Sequence, residues 1–582
     1  MMRLRPTHKS LFMTDKPTEK PPVAADEAPL NPQRRRLLGG MALAGAALTL
    51  GGCGSGSGSG SRSAAVGTHE LPAAALDALL RQHVQNVVVL YAENRSFNNL
   101  FAHFPGLAQP LKDLASPEYR QRDRDGTLLA TLPPIWGGLA PQAQTVNHRQ
   151  YQIDEQAITG LANQPFALRT PDGALLPHGL VTRDLVHRFY ENQLQINGGK
   201  NDGFVAWGNT GAMVMGHYAD TAVNLRLWQL ARQYTLCDNF FMGAFGGSFL
   251  NHQYLVAAQP PFFPHADQGP GKFQVAVVQG DDPTGIHPTL ADDSPASAMQ
   301  GRSKFASPDV LTPDFWAVNT IGPAYAPAFT HDAHNPQLAD AGSPTTLPPQ
   351  EHLTIGDTLS QAGIDWAWYA GGWQLALEGH GDNDTRTFPA SPAFQIHHQP
   401  FNYFRQFAPG TPARQQHLRD GGIGEQASSN HFIAAIEAGT LPPVAFYKPQ
   451  GDLNMHAGYS DVEAGDRHLA GIVDALQKSP QWPHMLVVIT VDENGGWWDH
   501  VAPPKGDRWG PGSRVPALIV SPFAKRGFVD HTIYDTGSIL RFITRRFGLR
   551  PLPGLRMRDD AMVAAGGPPP GDLTAALQFD AG

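Results

Sequence analysis

The feature that most constrains the fold of this chain is an apolar run that ends abruptly in two acidic residues. Residues 485–491 are almost all apolar and rich in β-branched side chains, which is typical of a strand buried on both faces, as in a parallel sheet. The run stops at Asp492 and Glu493, and the Asn-Gly-Gly that follows lets the backbone turn sharply. Because open α/β sheets bind ligands at the carboxyl ends of their strands, the stretch predicts a carboxylate-lined site. Taken alone, it is equally consistent with a strand that leads into solvated acids.

Apolar strands of this kind alternate with amphipathic helices along the chain. A second buried strand is predicted over 87–91, and it also ends in an acid and an amide, Glu93 and Asn94. Further strands are predicted over 234–238, 364–369, 443–447 and 515–521, and helices are predicted to start near Asp184 and to cover 221–233, 354–361, 466–477 and 536–547. The alternation predicts an α/β fold, a mostly parallel sheet with helices on both faces.

The first residues of the chain are typical of an export signal. A twin arginine within Arg34-Arg35-Arg36 precedes an uncharged apolar run that is too short to span a membrane, which favours the Tat route. The run ends in Leu-Gly-Gly-Cys, which resembles a bacterial lipobox with Cys53 as the lipidated residue; a cleaved signal with an incidental cysteine is the alternative. Residues 54–60 alternate Gly and Ser, as in a flexible tether.

These segments divide the chain into three expected parts. We predict a Tat-type signal peptide with a lipobox over 1–52, a flexible linker over 53–75 and a single catalytic domain over 76–582. The expected location is the periplasm or the cell envelope, and the expected membrane contact is a lipid anchor at Cys53. A net charge of -9 argues against nucleic acid as a partner, because phosphate backbones bind basic surfaces. The charge is compatible with a phosphate ester bound by a metal ion and histidines.

The acids and amides at the two predicted strand ends offer oxygen ligands and no thiolate. Such a set suits one divalent cation of the Mg, Mn, Ca or Zn kind, or iron. For Asn94 alone, capping of the next helix is the simpler interpretation. Ser248 follows two glycines but does not match the nucleophile-elbow pattern, because Leu250 stands where the second glycine belongs. A serine hydroxyl is a weak nucleophile that metal coordination activates.

Four segments together resemble the bacterial phosphoesterase family, which contains the non-haemolytic phospholipases C and related acid phosphatases. The matching segments are Glu93-Asn94-Arg95-Ser96-Phe97, residues 198–204, Gly247-Ser248 with Asn251, and residues 492–500. The resemblance spans roughly 84–550 and implies an alkaline-phosphatase-like core.

The resemblance also implies roles for individual residues. The residues implied to hold one divalent metal ion are Glu93, Asn94, Ser248, Asp492 and Glu493. The residues implied to take part in catalysis are Ser248, His187, His456, His500, His397 and His398. Ser248 would form a phosphoserine that water then hydrolyses, while His187 and His456 would contact phosphate or donate protons. His500 would orient ligands, and the pair His397-His398 would close the pocket, although most such pairs lie in surface loops.

Three departures from the family pattern favour its acid phosphatase branch. Phospholipases C of the family usually have Thr, then Pro and Asn-Arg, where this chain has Ser248, Leu250 and Asn251-His252. Asn98-Asn99 replace the usual Asp-His, and the chain ends soon after Leu552, with no room for additional C-terminal β domains. We therefore expect a metal-dependent phosphomonoesterase with an acid optimum, acting on a small-molecule or lipid phosphate ester.

Two other functions are compatible with the same residues. A phospholipase C-type phosphodiesterase would need an aromatic cage for a choline-sized cation, whose walls Trp497 and Trp498 could supply. A non-catalytic surface lipoprotein could keep the fold as a binding scaffold, although a scaffold has no need to retain the full set of ligand-type residues.

Overall fold

The computed structural model describes residues 65–67, 71–280, 287–379 and 393–580. These residues belong to one compact unit, Ser63–Gly582. Within them, no helix is both long and apolar enough to cross a membrane. The predicted signal peptide, Cys53 and the Gly/Ser tether lie outside the described residues.

The strands of the described residues are short to medium in length. They are β1 (Ala65–Gly67), β2 (Asn86–Ala92), β3 (Ala140–Val146), β4 (Arg149–Ile153), β5 (Phe166–Ala167), β6 (Gly216–His217), β7 (Thr235–Cys237), β8 (Phe240–Phe241), β9 (Trp366–Gly371), β10 (Leu418–Gly422), β11 (Val444–Lys448), β12 (Met485–Val491), β13 (Ala517–Val520), β14 (Phe528–Asp530), β15 (Tyr534–Asp535) and β16 (Gln578–Asp580).

The helices precede, follow and connect these strands. They are α1 (Ala73–His83), α2 (Phe97–Phe101), α3 (Ser116–Tyr119), α4 (Phe189–Ile196), α5 (Arg226–Gln233), α6 (Ser248–Ala257), α7 (Ile355–Gln361), α8 (Trp373–Leu377), α9 (Pro412–His417), α10 (His431–Glu437), α11 (Val462–Lys478), α12 (Thr536–Phe547) and α13 (Pro553–Ala564). Helix α1 begins at Ala73 and β1 pairs with β16, so regular structure starts before residue 76.

An eight-stranded sheet forms the centre of the described residues, in the order β10-β9-β11-β2-β12-β13-β7-β14. The strands β10, β9, β11, β2 and β12 are parallel neighbours, and β13 runs antiparallel to both of its neighbours. Every residue of β2, β9, β11, β12 and β13 is buried, so both faces of the central sheet are covered. The predicted α/β fold with a mostly parallel sheet is therefore confirmed.

The register of the central strands brings three strand ends together. In the parallel pair β2 and β12, Ala92 lies opposite Val491, so Glu93 and Asp492 leave the sheet side by side. On the other side of β2, the parallel strand β11 ends in Lys448. A cation and two acids therefore meet at one edge of the sheet.

The predicted strands all exist, and several helix ends were predicted to the residue. Helix α12 covers Thr536–Phe547 and ends at Gly548, which has a φ of 64°. Helix α7 begins after Thr354, which forms a capping box with Asp357. Helix α11 starts earlier than the predicted residue 466, because Asp461 accepts a hydrogen bond from the backbone of Ala464 and caps the helix there.

The prediction that a helix starts near Asp184 is wrong, because α4 begins only at Phe189. The preceding backbone is held in place by tertiary contacts. The amide of Val186 donates to Asn209 Oδ1 over 2.8 Å, and the loop at Gly246 packs directly on the backbone of Arg188 and Phe189. These long-range contacts replace the local hydrogen bonds of a helix turn.

The helix predicted over 221–233 is also shorter than expected. Residues Ala222–Asn224 form a 3₁₀ turn, Leu225 is extended, and α5 begins at Arg226. The carboxylate of Asp466 accepts hydrogen bonds from the amides of Arg226 and Leu227, at 2.9 and 2.8 Å. A distant side chain thus caps the helix, which local sequence patterns do not reveal.

Candidate active site

The loop before α6 holds Ser248 in a defined position. Asn251 accepts a hydrogen bond from the amide of Ala244 at 2.9 Å and donates to the carbonyl of Gly247 at 3.2 Å, which closes the loop on its own helix. Gly246 has a φ of 92°, and a Cβ there would lie 2.6 Å from the backbone of Phe189. This close approach requires glycine, and it places the start of α6 against the segment that contains His187.

Ser248 reaches the carboxylates at the end of β12. Its Oγ donates to Glu493 Oε1 over 3.1 Å, and Asn94 Nδ2 donates to the same oxygen over 3.2 Å. The other oxygen, Oε2, accepts a hydrogen bond from the amide of Gly495 over 2.5 Å. Glu493 thus joins the ends of both central strands to the serine hydroxyl.

Glu93 is surrounded by groups that favour its charged form. Lys448 Nζ and His398 Nε2 lie 2.5 and 2.7 Å from Oε1, and the Tyr459 hydroxyl donates to Oε2 over 2.9 Å. Burial by itself would raise the pKa of Glu93, but Lys448 and His398 outweigh it, so the pKa is lowered well below its usual value. The amide of Gln395 donates to His398 Nδ1, which leaves the ring proton on Nε2 to face Glu93.

Asp492 and Glu493 have the opposite environment. Burial and the charge of Glu93 raise the pKa of Asp492 well above its usual value. Burial also raises the pKa of Glu493, although the nearby His187 acts in the other direction. His252 Nδ1 lies 3.7 Å from Asp492 Oδ2, but this nitrogen is already hydrogen-bonded to the carbonyl of Ser248 over 2.7 Å.

His187 and His456 face the carboxylates through the same ring nitrogen. The Nδ1 atoms are hydrogen-bonded to the carbonyls of Leu185 and Ala457, at 2.6 and 2.5 Å. Their Nε2 atoms lie 3.8 Å from Glu493 Oε1 and 3.7 Å from Glu93 Oε2, respectively. Burial would lower the pKa of His187, but Glu493 and Asp184 raise it above its ordinary value.

The remaining predicted histidines lie in two places. His397 and His398 are buried beside Glu93 and not in a surface loop. Burial and the neighbouring His398 lower the pKa of His397 well below its usual value, and burial lowers that of His398 to about 4, so burial disfavours the charged form of both rings. His500 is hydrogen-bonded to Asn98 and to the carbonyl of Gln109, each over 3.0 Å, so both its ring nitrogens are occupied away from the serine and the carboxylates.

The donor set fits one hard cation. Asn94 Oδ1 and Asp492 Oδ2 are buried oxygens without a hydrogen-bond partner, and Glu93, His252 and Asp492 form a group of potential metal ligands within 4.8 Å of one another. A divalent ion bound here would satisfy both oxygen atoms. Glu93, Asn94, Ser248, Asp492 and Glu493 would hold the ion, as the resemblance implies.

Ser248 lies in a cleft of about 170 Å³. The predicted catalytic residues that line it are His187, Ser248, His397 and His456. The other lining residues are Asp184, Arg188, Gly247, Phe249, Val318, Asn319, Thr320 and Gln395. Phe249 contributes the only aromatic ring besides the histidines in this described lining.

Three residues next to the cluster were not predicted from the sequence. Lys448 directly follows the strand predicted over 443–447, and this position beside other strand ends is a signal that the sequence contains. Tyr459 stacks on His456 with ring centroids 4.4 Å apart. It is distant in sequence from the glycine motifs, so no sequence pattern indicates its position beside the site. In the sequence, His252 is only a departure from the family pattern; in the structure, burial and Lys448 lower its pKa well below its usual value.

Comparison with known proteins identifies the class of protein to which this chain belongs. The model of the Phosphoesterase family matches residues 84–550, and the chain belongs to this family. Membership confirms the predicted class of protein, a hydrolase that acts on ester bonds, and the resemblance inferred from the sequence.

Named relatives cover different shares of the chain. Phospholipase C B from Mycobacterium tuberculosis is 24% identical over 540 residues, which are 86% of this chain and 78% of that protein. Non-hemolytic phospholipase C from Pseudomonas aeruginosa is 26% identical over 262 residues, which are 39% of this chain and 33% of that protein. The aligned part is thus about a third of the length of the Pseudomonas relative.

A solved protein in the alkaline phosphatase superfamily from Vibrio parahaemolyticus shows a weak structural similarity. It covers 57% of this chain and 62% of its own, with 12% identity and a TM-score of 0.27. A likeness of this size adds nothing to the strand order and register described above.

Proposed function

We propose that this chain is a metal-dependent phosphomonoesterase that works through a phosphoserine at Ser248. The observation that carries the proposal is the hydrogen bond from Ser248 Oγ to Glu493 Oε1, which joins a residue that lines the cleft to the meeting point of two strand ends. This places a hydroxyl beside the carboxylates that would hold the metal ion. When bound, the ion neutralises the phosphoryl group and favours the serine alkoxide.

The reaction proceeds in two displacements. Ser248 Oγ forms a bond to phosphorus as the ester P–O bond breaks, and the hydroxyl proton passes to a neighbouring base. Water then attacks the phosphoserine, which releases phosphate and restores the hydroxyl. Glu493 accepts the Ser248 hydrogen bond and so orients the hydroxyl in the free enzyme.

His187 and His456 supply proton donors for the leaving alcohol. Both present Nε2 towards the carboxylates, because their Nδ1 atoms are held by backbone carbonyls. The raised pKa of His187 favours its protonated form, which can donate to the leaving oxygen. His397 and His398 are proposed to close the cleft beside Glu93, and His500 to support the first strand-end segment through Asn98.

A phospholipase C-type phosphodiesterase is the second candidate, favoured by the names of the relatives. The lining of the cleft argues for the monoesterase. Trp497 and Trp498 are buried, and Trp498 Nε1 donates to the carbonyl of Asn201 over 2.9 Å. Neither indole lines the cleft, so they do not provide the cage expected for a choline headgroup.

We further propose that the protein is exported through the Tat route and anchored in the cell envelope through Cys53. Support comes from the twin arginine and the lipobox-like sequence. Metabolic labelling with a fatty acid analogue tests the anchor: the wild type should incorporate the label and C53A should not. Labelling of both, or of neither, would contradict the proposal.

Replacement of the proposed nucleophile tests the mechanism. S248A should lower kcat for p-nitrophenyl phosphate by roughly a thousandfold or more, because it removes the hydroxyl that is hydrogen-bonded to Glu493. Folding, followed by the unfolding midpoint, should change little. S428A, at an exposed serine, is the matched control and should keep full activity.

The same preparations separate the two candidate functions. The wild type, loaded with metal, should release orthophosphate from phosphomonoesters and little phosphocholine from phosphatidylcholine. An unchanged rate in S248A would eliminate the serine mechanism. Preferential release of phosphocholine would replace the monoesterase by the phospholipase.

A further inference from the structure

The mouth of the cleft contains a charged side chain that the proposed chemistry does not use. Arg188 lines the cleft, and its side chain is 39% exposed. It immediately follows His187, and a Cβ at Gly246 would lie 3.0 Å from its carbonyl carbon. Arg188 is therefore adjacent to the loop that presents Ser248.

A separate part of the chain holds this guanidinium in place. Arg188 Nη2 donates to the carbonyl of Pro308 and to the carboxylate of Asp309. The backbone carbonyl of Asp309 accepts a hydrogen bond from Asn319 Nδ2 over 2.7 Å, and Asn319 Oδ1 accepts one from the amide of Phe189 over 3.0 Å. This closed set of bonds orients Arg188 before any substrate arrives.

The guanidinium retains free donors. Within the described residues, Nε and Nη1 of Arg188 have no protein acceptor. Burial raises the pKa of Asp309 to about 6, although Arg188 opposes this, so at acid pH the positive charge of Arg188 is less compensated. The other charged side chain of the lining outside the proposed catalytic set is Asp184, whose carboxylate lies 3.8 Å from His187 Nδ1.

We propose that Arg188 determines substrate specificity, by binding a second anionic group on the alcohol portion of the phosphomonoester. The proposal rests on the phosphomonoesterase function and adds the substrate class: phosphate esters whose leaving group contains a carboxylate or another phosphate. A guanidinium with two free N–H donors in a partly buried cleft suits such an oxyanion. The neutral side chains Val318, Thr320 and Gln395 offer no competing charge.

Two esters that differ in charge but little in shape test this specificity. The enzyme, loaded with its metal, is assayed with 4-carboxyphenyl phosphate and with 4-carbamoylphenyl phosphate. Wild-type kcat/KM should be higher for the carboxylate, and R188Q should lower this preference about tenfold, as expected for one charge-assisted hydrogen bond. The loss should appear mainly in KM, and activity on the neutral amide should stay within about twofold.

Further variants separate specificity from loss of folding. R188K keeps the charge and should keep part of the preference, while R405Q, at an exposed arginine that pairs with Glu351, should keep all of it. Equal losses on both esters in R188Q, or an unchanged preference, would overturn the proposal. A wild-type preference for the cationic ester 4-(aminomethyl)phenyl phosphate over 4-carboxyphenyl phosphate would also overturn it.

The outcome also distinguishes this inference from the function on which it rests. If the wild type hydrolyses neither aryl ester, the phosphomonoesterase function fails and the specificity proposal fails with it. If 4-carbamoylphenyl phosphate is hydrolysed at full rate while R188Q does not change the preference between the two esters, only the specificity proposal fails.

Discussion

The ends of strands β2 and β12 lie side by side, yet their carboxylates have opposite electrostatic environments. Glu93, after β2, contacts Lys448 at 2.5 Å and accepts a hydrogen bond from Tyr459. Asp492, after β12, has no such cation, and Oδ2 is a buried oxygen without a hydrogen-bond partner. The pKa of Glu93 is accordingly lowered, and the pKa of Asp492 is raised.

The difference indicates where a cation has most to contribute. A buried carboxylate without a partner is costly, whereas one paired with a lysine and hydrogen-bonded is tolerated. The protein itself compensates the charge of Glu93, whereas Asp492 Oδ2 lacks a partner within the described residues that the proposed metal ion would supply. We therefore expect metal to stabilise the end of β12 more than the end of β2.

The largest expected effect comes from removing the uncompensated charge. D492N should lower activity by roughly a thousandfold, because a proposed metal ligand is lost, while the metal-free protein should be no less stable than wild type. The stabilisation by added Mn²⁺, seen as a shift of the unfolding midpoint, should disappear. D113N, at an exposed aspartate, should retain both properties; a D492N variant that still gains stability from metal would contradict the comparison.

Removing the cation beside Glu93 should make the two strand ends alike. K448M leaves the Glu93 carboxylate buried without its cation, so the metal-free protein should lose about 4 kcal/mol in the free energy of unfolding. Added metal should restore part of this loss, measured by urea unfolding with and without EDTA. K112M, at an exposed lysine, is the control. Equal stability of the two variants would show that Lys448 does not compensate Glu93.

A third buried carboxylate, on helix α4, separates burial from metal binding. Burial and Asp309 raise the pKa of Glu191 to about 8, above the unfolded value of 4.5. Between these values the Glu191 carboxyl group binds the extra proton only in the folded protein, so its own contribution to stability falls as pH rises. E191Q should remove this contribution, on the order of 3 kcal/mol between pH 5 and pH 8, from the pH dependence measured by urea unfolding.

Added metal should not alter the pH dependence that Glu191 causes, whereas we expect it to stabilise the strand end at Asp492. E437Q, at an exposed glutamate, should leave the pH dependence of the wild type unchanged. The same pH dependence in E191Q and in the wild type would show that Glu191 is charged in the folded state.

Parts of the fold with strong local signals were predictable. Strand β12 and helix α12 match their predicted bounds, because a continuous apolar run and a helix stopped by Gly548 are determined by neighbouring residues. The start of α4 was not predictable, since the loop at Gly246 packs on the backbone before it. The cap of α5 comes from Asp466, which lies on a different helix.

The sequence by itself determined the family, the buried strands and the acidic and amide side chains at their ends, because each depends on short patterns of side chains. Only the tertiary structure decided which charges compensate which. Lys448, Tyr459 and His398 meet Glu93 because three parallel strands and their loops share one edge of the sheet. Electrostatic interactions depend on distance in space and on burial, and sequence separation determines neither.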